Sequence, residues 1–336
     1  MRIAVIGAGA IGGLTAGYLK LKGYEVTLVG RRETVEAIQQ NGLVISGVRG
    51  NFKIEIAAAE KLTARPDLAI LAVKTQDVDS ALRVNAACLG SAPVVTAQNG
   101  VRADAIAARY LPKENIVSSI VMFGATSLAP GEIVHNFEND WIIGPAFGSI
   151  DNWVDKIKEV LSSIFPVVVS NEIRGMKYLK VFVNSNNCIP ALLGSSMQES
   201  FADLKISRLA IAIWKEGLTV VRQAGINLVS LPDFPLERIQ GLTVMPAPEA
   251  AKIFSGIMLK LSKEPLYGSI LQSIRRGKIS EIDYLNGEFA ALAKEHRLQA
   301  PLNEKLTSLV HKVEQSGKFF KPEELLAELK GLLAAE

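Results

Sequence analysis

The six residues Gly7-Ala8-Gly9-Ala10-Ile11-Gly12 constrain the fold of this chain more than any other stretch. They follow an apolar, β-branched run over residues 2–6 and open a helical pattern over 11–21, with a second strand pattern at 25–29. A chain that turns from strand to helix in so few residues needs its glycines for separate reasons. The first permits the tight turn, the second lets a pyrophosphate approach the backbone, and the third lets the helix pack closely on the strand. The helix start also offers unpaired N–H groups and the positive end of a dipole to phosphate oxygens. A ligand-free turn can use similar glycines. The strand–helix–strand context is what turns the pattern into a dinucleotide site.

The same run could be mistaken for a secretory leader, because Arg2 precedes apolar residues. Glycines at 7, 9, 12 and 13 interrupt it, and a strand followed by a turn accounts for it better. No later stretch reaches the about 20 continuous apolar residues that a membrane span needs, so a cytoplasmic protein without a membrane partner is expected. Lys and Arg number 37 against 34 Asp and Glu, a net charge of +3 that gives no reason to expect a nucleic-acid partner. Two cysteines, Cys88 and Cys188, make neither a disulfide framework nor a metal cluster.

Downstream, strand patterns at 68–73, 94–97 and 116–121 alternate with helical ones, as in a parallel sheet built of βαβ units. Residues 44–45 and 52–56 flank Gly47 and Gly50 and look like an inserted hairpin. Residues 131–135 and 141–143 look like further strands near the sheet's end, and 166–169 like the last one. Beyond about residue 171 the periodicity becomes helical, over 177–193, 201–224, 247–261, 281–296 and 302–317. The expected fold class is therefore α/β, an N-terminal Rossmann-type parallel sheet with helices plus an all-helical C-terminal domain. The expected domains are 1–170, binding the dinucleotide, and 171–336, serving substrate and dimerisation. A cleft between them is the default place for a site. The apolar helices 201–224 and 247–261 suit either a core or a homodimer face.

At the end of the second strand, where Asp or Glu would bind a ribose 2′-hydroxyl, the chain reads Val29-Gly30-Arg31-Arg32. No carboxylate repels a 2′-phosphate there, and guanidiniums can bind one, which points to NADPH (NADP) rather than NADH. Arg31 is the residue singled out; the lesser alternative is that both arginines stand in a solvated turn. Lys74 and Asn99 follow two later strands, at the carboxyl ends where open parallel sheets bind ligands. Lys74 offers a second cation. Asn99 offers a donor and an acceptor, suited to cofactor or substrate, although Asn-Gly alone is most often a turn.

Ketone reduction needs a hydride donor and an acid for the developing alkoxide. His135, His296 and His311 fall on a strand, at a helix end and within a helix, and read as structural or exposed. Lys180 is the better acid. With Asn184 and Cys188 it is spaced four residues apart on one stripe of an apolar helix, where unpaired polar groups are costly. A lysine snorkelling from the helix edge would give the same pattern.

A second patch runs from Ser269 through Arg275-Arg276-Gly277-Lys278 to Ser280-Glu281-Ile282-Asp283. With the glycine loop, Lys74, Gln98-Asn99-Gly100, Pro130-Gly131 and the Lys180–Asn184 pair, all in order, the chain resembles the ketopantoate reductase (2-dehydropantoate 2-reductase) family. The resemblance implies NADPH-dependent reduction of a small-molecule 2-oxo acid in pantothenate biosynthesis. It implies that Lys180 donates the proton and that Glu281 is a carboxylate near lysine and cofactor. Asn99, Asn184, Cys188 and Ser269 are implied to meet the substrate. Gly7, Ala8, Gly9, Ala10, Ile11, Gly12, Arg31, Lys74, Asn99 and Glu281 are implied to meet the cofactor. Two positions depart: Cys188 stands where the family commonly has a second Asn, and Ser273 where it often has an acid. Both bear on which oxo acid is used. A related reductase acting on another 2-oxo or 3-oxo acid is the alternative, and an NADPH-binding sensor without turnover is another.

Overall fold

A computed structural model describes residues 1–149 and 152–333. The chain divides into two compact units, Met1–Arg174 and Gly175–Glu336. In the first, β1 (Arg2–Ile6), α1 (Ala10–Leu21), β2 (Glu25–Val29), α2 (Arg32–Asn41), β3 (Leu43–Gly47), β4 (Phe52–Ile54) and β5 (Ala57–Ala59) come in order. They are followed by β6 (Leu68–Leu71), α3 (Val78–Leu89), β7 (Val94–Thr96), α4 (Ala103–Ala107) and β8 (Ile116–Val121). The unit ends with β9 (Gly124–Ala129), β10 (Glu132–Phe137), β11 (Trp141–Pro145), α5 (Asn152–Ser162) and β12 (Val167–Val169).

Eight strands form one sheet in the order β12-β11-β8-β7-β6-β1-β2-β5. All neighbours are parallel except β8 and β11. The strand order reverses beside β1, so the carboxyl ends of β1 and β6 flank the place where such sheets bind ligands. Every residue of β6 is buried, which is why Leu68-Ala-Ile-Leu71 reads as an unbroken apolar run.

A second sheet, β4-β3-β10-β9, departs from expectation. Residues 44–45 and 52–56 do form a hairpin, β3 with β4. The strand at 131–135, however, does not extend the main sheet: β10 pairs parallel with β3 and antiparallel with β9. Gly131, at φ +80°, makes the β9–β10 turn. This sheet covers the outer face of α1, and it comes close because α1 presents glycines there. A Cβ at Gly13 would lie 3.0 Å from Ile133, and one at Gly17 would run into Ile45. Buried on both faces, α1 shows little amphipathic pattern in the sequence.

The second unit continues from α6 (Ile173–Ser185) through α7 (Cys188–Leu193), α8 (Met197–Ala202), α9 (Leu204–Gln223) and α10 (Leu236–Val244). After these come α11 (Ala247–Leu259), α12 (Ser269–Arg275), α13 (Asn286–Glu295), α14 (Pro301–Ser316) and α15 (Pro322–Glu328). The α/β class with a helical C-terminal half is therefore what the chain adopts. Three expected helices are cut differently. The run 177–193 breaks after Ser185, 201–224 splits at Asp203, whose carboxylate caps α9, and 281–296 starts only at Asn286 after a short turn over Ile282–Tyr284. Helices α10, α12 and α15 carry too few periodic residues to stand out in the sequence. No helix among the described residues is long and apolar enough to cross a membrane.

His135 shows how the second sheet is tied to α1. Its Nε2 lies 3.1 Å from the Phe137 carbonyl, which can only accept, so Nε2 carries the proton and Nδ1 accepts from the Tyr18 hydroxyl at 2.9 Å. Burial pushes the His135 pKa below its ordinary value. A group less willing to protonate when folded leaves stability intact above the ordinary histidine value and erodes it as pH falls below about 6.5. Melting temperature should thus fall on acidification in the native protein, and less steeply in His135→Asn. Tyr18→Phe, which strands Nδ1, should cost about 1–3 kcal/mol in denaturant unfolding.

Candidate active site

In the first unit the site begins at the glycine turn. Gly7 has φ +120°, and its N–H reaches the Val29 carbonyl at 2.8 Å. A Cβ there would stand 2.5 Å from the Ala72–Val73 backbone, and one at Gly12 would run into the Gly7 carbonyl. Both glycines are thus fixed by packing. Gly9 is different: it caps α1 in extended conformation, is exposed, and a Cβ there would meet nothing within 4 Å. Nothing in the protein's own packing calls for a glycine at this position, so it is a cradle left open at a helix N-terminus. The first turn of α1 carries no acidic residue to oppose an anion. Ala8, Ala10 and Ile11 around it are partly exposed.

Arg31 stands at the end of β2 as the cap of α2, with its side chain 81% exposed and 3.5 Å from the Asp77 carboxylate. Arg32 instead pairs with Glu36 one turn along α2. Asp77 was not expected from the sequence; it arrives through the loop after β6 that also carries Lys74. Gln98 holds that loop in place, its amide donating to the carbonyls of Leu71 at 2.6 Å and Val73 at 3.0 Å. Thr75 donates to the Asn99 carbonyl at 2.9 Å. The loops bearing Lys74 and Asn99 are therefore stitched together, with the half-buried Asn99 at the seam.

In the second unit, α6 presents Lys180 and Asn184 one turn apart, both partly exposed. Protein crowds the Lys180 ammonium, and this burial lowers its pKa to about 8, the nearby Glu281 carboxylate opposing the fall and Lys177 adding to it. Lys177, only 3% exposed, is a second buried lysine three residues earlier. Its sign in the sequence is its place inside the same apolar run as Lys180.

The stripe from Lys180 through Asn184 to Cys188 does not continue. With the helix broken at Asn186-Asn187, Cys188 restarts as α7 and is fully buried. Burial pushes its thiol up to about 12, against a hydrogen bond with the Asn286 side chain. Asn286 donates to Asn303 at 3.0 Å, and Asn303 to Glu216 at 2.8 Å, so Cys188 ends a buried polar chain rather than lining an open face. Beside it, Asn186 is 4% exposed, and both its amide atoms are without a partner among the described residues. A buried amide so placed calls for a water or a ligand. Ser269 is exposed at the start of α12. A Cβ on the preceding Gly268 would lie 3.2 Å from Asn187 and from Met197, so this turn seats against the break between α6 and α7.

The first unit carries a glycine cradle with basic neighbours, and the second a lysine of lowered proton affinity beside a carboxylate, features found in α/β oxidoreductases. The ketopantoate reductase PanE/ApbA model matches residues 3–147 and its C-terminal counterpart residues 172–314. The chain belongs to the ketopantoate reductase PanE/ApbA family. It is 31% identical over 320 residues to the 2-dehydropantoate 2-reductase of Pyrococcus horikoshii, covering 94% of this chain and 99% of that one. It is 26% identical to that of Archaeoglobus fulgidus, covering 93% and 98%. Among solved structures, D-mandelate dehydrogenase with NADH and anilino(oxo)acetate shares the fold at a TM-score of 0.80 and 24% identity, over 94% of this chain and 99% of that one. The Ralstonia eutropha family member fits equally, with a TM-score of 0.80 and 24% identity over 94% and 99%.

The packing makes a simple chemical prediction. Iodoacetamide at neutral pH should leave Cys188 unlabelled in the native protein and label it once denaturant opens the helical unit. Labelling before unfolding would mean that the α6–α7 break is open to solvent.

Proposed function

We propose that this oxidoreductase uses NADPH to reduce the keto group of a small 2-oxo acid, with 2-dehydropantoate as the foremost substrate. The observation that carries the proposal is Lys180, an ammonium whose proton affinity is lowered to about 8, with Glu281 beside it. A general acid works best when its pKa lies near the operating pH.

The open cradle at Gly9 fits a dinucleotide, since a helix N-terminus without an acidic first turn suits a pyrophosphate. Gly7, Ala8, Gly9, Ala10, Ile11 and Gly12 would hold it, with Arg31 on a 2′-phosphate and Lys74, Asn99 and Glu281 on the remainder. Bound NADPH supplies a hydride to the carbonyl carbon. Lys180 gives its proton to the carbonyl oxygen and regains one from water. The Glu281 charge keeps the lysine from losing that proton too early. Asn184, Ser269 and Asn99 would hold the substrate's polar groups. Residues 1–170 then serve the cofactor and 171–336 the substrate. Cys188, sealed in the core where the family commonly has an amide, favours a second reading: reduction of a less polar 2-oxo acid.

NADPH consumption against a panel of 2-oxo acids that includes 2-dehydropantoate and phenylglyoxylate separates the two readings; no turnover with any acid would remove both. Lys180→Ala should lower kcat by about 10²–10⁴-fold with NADPH affinity unchanged, and Lys180→Arg should not restore it. Reduction by the native enzyme should be fastest below pH 8 and fall above it, as Lys180 loses the proton it must donate. Arg31→Ala should weaken NADPH binding by about 10–100-fold and leave NADH binding little changed. Asp77→Asn, which removes a carboxylate competing for Arg31, should tighten NADPH.

A further inference from the structure

His311 lies on α14 between two carboxylates. Its Nδ1 is 2.8 Å from Glu314 and its Nε2 3.1 Å from Asp283. The other oxygen of Glu314 accepts the backbone N–H of Ser280 at 2.8 Å. Ser280, 2% exposed, in turn accepts the N–H of Ile282 at 3.3 Å. The segment is therefore pinned to α14 on both sides of Glu281: Ser280 through Glu314, and Asp283 through His311.

These pins matter because regular structure does not fix Glu281. It precedes a single short turn, Ile282–Tyr284, with φ −101° and ψ 28°, and its carbonyl accepts the Tyr284 N–H at 3.0 Å. Leu285 follows at φ −118° and ψ −92°, outside the helical region. A residue in such a segment owes its placement to side-chain anchors, here on a rigid sixteen-residue helix. A neutral imidazole donates one hydrogen bond, whereas imidazolium donates two, and two carboxylates face this ring. The bonds to Asp283 and Glu314 outweigh burial and raise the His311 pKa above its ordinary value. Burial opposes the Glu314 carboxylate in turn, and its bonds from Ser280 and His311 hold it below the usual range.

We infer that His311, bridging Glu314 and Asp283, is a positioning residue that sets Glu281 against Lys180 for the proton transfer. The inference rests on the reading of Lys180 as proton donor. Two charged groups act on that lysine: Glu281, which favours its protonated form, and Lys177, which disfavours it. Loosening the clamp removes the first and leaves the second.

The test is the pH profile of kcat for oxo-acid reduction in His311→Leu. Its basic limb should move down by about one pH unit, the scale of one opposite charge near an ionisable group. Activity at pH 6, measured at saturating NADPH, should stay near the native value. His311→Gln, which keeps one donor, should fall between. Glu281→Gln should show the same downward shift, and adding His311→Leu to it should shift the limb no further. A fall in melting temperature with the limb unmoved would make His311 a structural brace and overturn the inference, as would an added shift in the double variant. Should His311→Leu fail to fold, Asp283→Ala cuts one arm of the clamp while His311 keeps Glu314, and the same two outcomes apply. Failure of the underlying reading looks different: Lys180→Ala would then keep its turnover.

Discussion

The contact between Gly12 and the Gly7 carbonyl is the constraint from which the first unit follows. Because no Cβ fits there, α1 starts directly over the end of β1, and Gly7 presses on the Ala72–Val73 backbone at the end of β6. That fixes the helix N-terminus at the switch in strand order, where backbone N–H groups and dipole converge. Close seating of α1 also lets a second sheet pack over it, through Gly13 and Gly17. A side chain larger than hydrogen at Gly7 or Gly12 would move all of these together, whereas Gly9 answers to none of them.

The second unit is organised around buried polarity. Burying Lys177 and crowding the Lys180 ammonium on one helix is costly, and the cost shows as the lowered proton affinity of Lys180. A group near neutrality can give up a proton at working pH, which a lysine free in water does poorly. Two polar chains run through Asn286, Asn303 and Glu216, and through Ser280, Glu314, His311 and Asp283. Each spans residues far apart in sequence, so each is a long-range tie: the first between helices, the second between α14 and the turn before α13.

Two misreadings have a common cause. The Lys180–Asn184–Cys188 stripe assumed an unbroken helix, but Asn186 and Asn187 end α6, because short amide side chains compete with the helical ladder. Residues 131–135 went to the main sheet because alternation marks a strand without naming its partner.

By itself the sequence determined what depends on neighbours in the chain. Glycine spacing after an apolar strand, the absence of a carboxylate after Val29, alternating strand and helix periods, and a lysine in an apolar helix are local facts with local physical reasons. They were enough for the α/β class, its helical second half and the family. Tertiary structure alone decided which strands pair, that Arg31 shares its charge with Asp77, that Lys177 and Glu281 act on Lys180, and that Cys188 is sealed. Burial and charge–charge distance belong to the packed chain, and no spacing along the sequence fixes them.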